Sequence, residues 1–201
     1  MNFLAHLWLT EHARLPLAGA ILGDTLRGPL PPEMPPDLAQ SVRLHRRVDA
    51  ATDRHPRVQA ARTRFGAGAR RYSGILIDVL FDHLLAQDWA RYHPEPLDAF
   101  VERAARDVAA AGRWFEHSRQ PAPRAAPFAA LLASYASVAG IDLALRRTAT
   151  RLRRPEGLLD AMSAWHAQLP LLRHDLPVLL EDLRALAASA PGVNDGDSTK
   201  V

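Results

Sequence analysis

Apolar residues recur at intervals of three and four along almost the whole chain, and alternation with a period of two is absent. The pattern therefore predicts helices and gives strands no support. The opening run MNFLAHLWLTEHA predicts a helix over 2–13, and a second follows over 15–27. Pro29, Pro31, Pro32, Pro35 and Pro36 then remove backbone donors too densely for a helix, which predicts a loop over 28–35. Pro36 suits a first helical turn and opens a helix over 36–54, which His55-Pro56 ends or kinks. Further helices are predicted over 56–65, 69–91 and 97–116, with Gly66, Gly68, Pro94 and Pro96 between them. In the second of these, Ile75, Leu76, Val79, Leu80, Leu84 and Leu85 mark a buried face. Pro121, Pro123 and Pro127 form a linker, and the stretch after it predicts two to four helices with breaks at Gly140, Pro155 and Pro170. The proline linkers are short for domain boundaries, so the expectation is one all-α domain over 1–190 and a disordered tail over 191–201.

Composition narrows the chemistry more than the fold. With 201 residues, 48% of them hydrophobic, the chain can bury a core of its own. It has no Cys, which excludes disulfides, thiolate metal sites and a thiol nucleophile; any metal must be held by His, Asp or Glu. Of 25 basic residues all but Lys200 are Arg, yet the formal net charge is only +3. With a single Lys and no interleaved aromatics, that excess does not point to nucleic acid. His6, Glu11, His12 and Arg14 interrupt the apolar start, and no run approaches the ~20 apolar residues a membrane span needs. The expectation is a soluble cytoplasmic protein with no membrane partner.

The polar residues inside apolar runs carry the chemistry. His45, Asp49 and Asp53 are four apart, which puts an imidazole and two carboxylates in line on one helix face. Asp78 and Asp82 repeat that spacing, with His83 next to them, while His6 and Asp24 sit singly among apolar neighbours. Each has an ordinary alternative: a core histidine for His6, or ion pairs of Asp24 with Arg27, Asp49 with Arg46 and Asp53 with Arg57. Buried carboxylates are costly unless compensated, and a divalent cation held by His nitrogen and carboxylate oxygen compensates several at once. Such a cation also makes water a nucleophile near neutral pH, the chemistry that phosphoester hydrolysis needs. There is no P-loop, no Gly-x-Gly-x-x-Gly and no Gly-x-Ser-x-Gly. On spacing alone, a metal site and a set of ion-paired structural carboxylates remain level.

The ordered motifs Met1-Asn-Phe-Leu-Ala-His6-Leu7, Gly19-Ala-Ile-Leu-Gly-Asp24 with Arg27-Gly28, His45-Arg-Arg-Val-Asp49, Thr52-Asp53-Arg-His55-Pro56 and Arg71-Tyr-Ser-Gly-Ile-Leu-Ile-Asp78-Val-Leu-Phe-Asp82-His83 resemble the acyl carrier protein phosphodiesterase family. The resemblance covers about 1–90 by motif and the rest by helical character alone. It implies an HD-like helical bundle, an atypical relative of the HD-domain phosphohydrolases. The implied reaction hydrolyses the phosphodiester joining 4′-phosphopantetheine to a Ser of acyl carrier protein, with manganese the expected ion and magnesium or iron as alternatives. On that basis Asp24, His45, Asp82 and His83 are expected as metal ligands. His6, Asp49 and Asp78 are expected as catalytic or orienting groups, with His6 as either ligand or general acid and Asp49 as either ligand or orienting group. Arg46 and Arg47 are expected on a phosphate oxygen. The implied partner is a small acidic helical protein, and nine arginines crowd residues 43–71 against only Asp49 and Asp53, a basic stretch suited to steering it. Two other functions fit the same residues: an HD-like phosphohydrolase of nucleotides or small phosphoesters, and a non-catalytic helical binding protein.

Overall fold

A computed structural model describes residues 1–118, 120–162 and 165–189. Among these the chain is all-α, with one continuous core. The expected tail over 191–201 lies outside the described residues.

The first four helices follow the proline and polarity pattern. They are α1 (Phe3–His12), α2 (Ala18–Thr25), α3 (Pro36–Arg54) and α4 (Pro56–Thr63). Pro36 and Pro56 each occupy the first turn, where a missing N–H costs nothing. His55 ends α3 and also caps α4, its Nδ1 accepting from the Arg57 N–H at 3.3 Å.

The predicted helix over 69–91 is three pieces, α5 (Ala67–Arg70), α6 (Ser73–Gln87) and α7 (Trp89–Tyr92). Tertiary contacts override the continuous apolar pattern. The Tyr72 hydroxyl donates to the Arg154 carbonyl at 2.7 Å, and the Trp89 indole N–H donates to the Glu95 carbonyl at 2.8 Å. Then come α8 (Leu97–Ala110), α9 (Gly112–His117), α10 (Ala125–Ser134), α11 (Val138–Ala149) and α12 (Glu156–Met162), a short 3₁₀ turn (Trp165–Gln168) and α13 (Leu169–Ala188).

Gly140 does not break a helix. It lies in the first turn of α11, where a Cβ would stand 1.9 Å from the Ser134 carbonyl oxygen, so glycine permits the 118° bend between α10 and α11. No single helix among the described residues is long and apolar enough to cross a membrane.

Helix α6 is central, its Leu76, Ile77, Leu80, Phe81, Leu84 and Leu85 fully buried, and it packs against α1, α11 and α13. Helix α2 lies along α3, and α1 crosses both. Helices α1, α2 and α3 therefore bring His6, Asp24, His45 and Asp49 together, with α6 packed alongside.

Candidate metal centre

Close approach of α2 to α3 makes the site. A Cβ on Gly19 would stand 2.2 Å from Ser41 Oγ, and one on Gly23 would stand 2.2 Å from the His45 ring. Only a helix without side chains at both positions can lie this near α3, and Asp24 follows directly at the C-terminal end of α2. The pair Gly19 and Gly23, four apart beside an Asp, is a sequence signal for this approach that polarity alone does not register.

His6 from α1 and His45 from α3 are both 2% exposed, and their rings stack at 3.9 Å between centroids. Asp49, one turn beyond His45, joins them. Its Oδ1 lies 2.9 Å from His6 Nε2 and its Oδ2 3.1 Å from His45 Nε2. Asp24 Oδ1 adds a third oxygen 3.4 Å from His45 Nε2. Donor atoms of His6, His45 and Asp49 fall within 4.8 Å of one another. Two imidazole nitrogens with one or two carboxylates form a donor set that suits a first-row divalent ion. Asp24 and Asp49 are about half exposed, so the group opens to solvent on its carboxylate side.

The electrostatics of the four side chains are interdependent. Burial and the neighbouring His45 push His6 down to about 4, although Asp49 opposes this. Burial also disfavours a charged His45, but hydrogen bonds to Asp24 and Asp49 outweigh it and push His45 up to about 9. Burial would raise Asp49, yet the two histidines hold it far below the ordinary carboxylate range. One proton on His45 thus stands where a metal would compete for the same oxygens.

Asp78 reaches the edge of the group. The Met1 α-amino nitrogen lies 3.2 Å from Asp78 Oδ1 and 3.8 Å from Asp49 Oδ1, a bridge the motif pattern does not reveal. Burial pushes Asp78 above its ordinary value, against the pull of that amine.

Three residues expected at the site are engaged elsewhere. Both oxygens of Asp82 accept backbone N–H groups, from Leu4 at 2.7 Å and Ala5 at 3.0 Å. These are orphan donors of the first turn of α1, whose own N-cap, Asn2, makes no capping bond, so Asp82 caps α1 from another helix. His83 donates from Nδ1 to the Tyr135 carbonyl at 2.6 Å and stands edge-on to Trp165, and burial pushes it down. Arg46 donates to the Leu26 carbonyl at 2.7 Å and fastens the proline loop, while Arg47 is half-buried beside it. The neighbouring basic stretch is also partly engaged. Arg57 and Arg64 bind Asp175 of α13, and Arg62 binds Asp53.

Glu11, His93 and Glu95 form another acidic group with metal-like spacing. There Arg103 already supplies the cation, lying 2.6 Å from both carboxylates.

An all-helical fold carrying a two-histidine, two-carboxylate cluster places the chain among helical proteins with a candidate metal site. Comparison with known proteins narrows it. The family model "Acyl carrier protein phosphodiesterase" matches residues 1–183. The chain belongs to the acyl carrier protein phosphodiesterase family. Proteins named acyl carrier protein phosphodiesterase from Salmonella agona (strain SL483), Salmonella dublin and Salmonella newport (strain SL254) are each 43% identical to it over 110 residues. That stretch is 54% of this chain, and the chain spans 57% of the length of each relative it matches. No solved structure matches the chain.

Proposed function

We propose that this protein is a metal-dependent phosphodiesterase of the HD-like kind. Its substrate is holo acyl carrier protein, and its products are apo carrier and 4′-phosphopantetheine. The observation that carries the reading is the convergence of His6, His45 and Asp49 on one point, with Asp24 beside them, in a chain of this family. A divalent cation, manganese first and magnesium or iron as alternatives, would be held by His6, His45, Asp49 and Asp24. When bound it supplies a Lewis acid and a water of lowered pKa.

The chain's own groups divide the remaining work. Asp49 holds the two rings in register by pairing with Nε2 of each, and the ion would take the place of those hydrogen bonds. His45 must give up its proton before it can act as a ligand, so affinity for the ion rises with pH below about 9. Asp78 stands at the open edge, where burial raises its carboxyl against the pull of the Met1 amine, and it is assigned the general acid that protonates the leaving Ser oxygen. Of the two arginines expected on phosphate, Arg46 is engaged by the Leu26 carbonyl, which leaves Arg47 for the non-bridging phosphate oxygen.

The test is turnover of holo acyl carrier protein by purified protein with manganese, magnesium or iron, read as mass loss on the carrier. Apo carrier is the expected product. Its absence with all three ions, alongside hydrolysis of nucleotides or simple diesters, would replace this reading with a small-phosphoester hydrolase. Absence of metal after purification without chelator, and of any turnover, would leave a binding protein. Asp24→Ala and His45→Ala are expected to lower kcat at least ~100-fold and to lower metal content while helicity is kept.

A further inference from the structure

We propose that four arginines around the connection from α11 to α12, Arg71, Arg151, Arg153 and Arg154, form a docking site for a carboxylate-rich helix face of a protein partner. They line a hollow of about 580 Å³. All four are exposed, and none has a carboxylate partner among the described residues, whereas Arg57, Arg62, Arg64, Arg103, Arg173 and Arg184 all have one. Residues 143–155 hold five arginines and no Asp or Glu. Like charges gathered without a counter-ion repel one another, and an acidic partner relieves that repulsion on arrival.

The hollow is held in place. The Tyr72 hydroxyl binds the Arg154 carbonyl, and Gly157 leaves room for the Tyr72 ring, which a Cβ there would meet at 2.4 Å. It is open and broad, with charge on separate exposed side chains. That form suits several carboxylates about 5–6 Å apart, as on successive turns of a helix, better than one phosphate in a tight cradle.

Position gives the hollow a purpose. Ile75 forms part of its wall, and Asp78 is three residues on along α6, on the neighbouring turn of the same face. A protein seated on the arginines would lie beside the Asp78 edge of the metal cluster. The identity of that protein as acyl carrier protein rests on the function proposed above, while the docking chemistry does not.

The experiment measures binding without turnover. Wild type and the triple variants R151E/R153E/R154E and R151Q/R153Q/R154Q are titrated with apo acyl carrier protein, with a helical peptide bearing Glu at i, i+3, i+4 and i+7, and with inorganic pyrophosphate, at low and moderate salt. The expected result is salt-sensitive binding of carrier and peptide to wild type, weakened roughly tenfold or more in both variants. Hydrolysis of a simple aryl diester should be unchanged in both. Peptide binding of this kind without carrier binding would keep the docking site and overturn the carrier as partner. Equal carrier binding by wild type and variants would overturn the docking site and leave the proposed reaction standing. Failure of both carrier and peptide to bind wild type, or pyrophosphate as the sole ligand, would also overturn it.

Discussion

Both carboxylate oxygens of Asp82 accept N–H groups from the first turn of α1, a capping contact from which a structural role is predicted. Burial pushes its pKa up to about 7, even though the two N–H groups favour the anion. Removing the carboxylate leaves two buried donors unpaired. Asp82→Ala should therefore cost about 2–4 kcal/mol, and Asp82→Asn, which keeps one acceptor, about 1–2. Urea denaturation checks the stability, and metal analysis of the folded variant checks the role. Metal should be retained, and its loss from a folded Asp82→Ala would return Asp82 to the ligand set. The sequence places Asp82 and His83 beside Asp78 and says nothing of what faces them. Spacing within a helix reports a shared face, but a carboxylate that caps another helix carries the same spacing as one that binds a metal. His83 repeats the lesson, because a histidine hydrogen-bonded to a carbonyl and packed on Trp165 reads along the chain like a ligand.

At the scale of elements, α2 and α3 decide whether the histidines and carboxylates meet. Glycine in mid-helix normally costs about 1 kcal/mol relative to alanine, so Gly23→Ala would be stabilising if propensity alone ruled. Here the added Cβ would lie 2.2 Å from the His45 ring, so either the ring turns away from Asp49 and Asp24 or α2 moves off α3. If the proposed centre holds an ion, the expected outcome is a protein that still folds but binds manganese at least ~10-fold more weakly, read by calorimetric titration. Wild-type affinity in Gly23→Ala would show that the cluster tolerates a shift of α2. Helix boundaries around this pair were legible because proline fixes them: α3 spans Pro36–Arg54, as the pattern predicts. The division of the stretch over 69–91 was not legible, since the Tyr72 and Trp89 contacts that interrupt it come from residues 82 and 6 positions away.

At the scale of the whole molecule, Asp175 ties α13 to the rest of the arginine-rich stretch. It is 4% exposed, with Arg57 at 2.8 Å and Arg64 at 3.0 Å, so the C-terminal helix is clamped to α4 and its end through one buried carboxylate. This uses two of the nine arginines that composition assigns to a partner, and Arg71, one of the others, lines the hollow with Arg151, Arg153 and Arg154. Burial pushes Asp175 up, but the two guanidinium groups outweigh it and hold the carboxyl below its ordinary value. A depressed carboxylate adds stability that is complete above the unfolded-state pKa of about 4 and disappears as pH falls through the lower folded-state value. Because both arginines are partly exposed, loss of the carboxylate should cost about 2 kcal/mol, between the values for a surface and a buried pair. Asp175→Asn should therefore melt below wild type at pH 7. Its stability should fall less steeply than that of wild type as the pH drops below about 4, so the two melting curves converge in acid. Parallel curves across that range would mean that the clamp contributes by packing alone, and α13 would then be held by Leu172, Leu176, Leu179, Leu180 and Leu183 without help from charge.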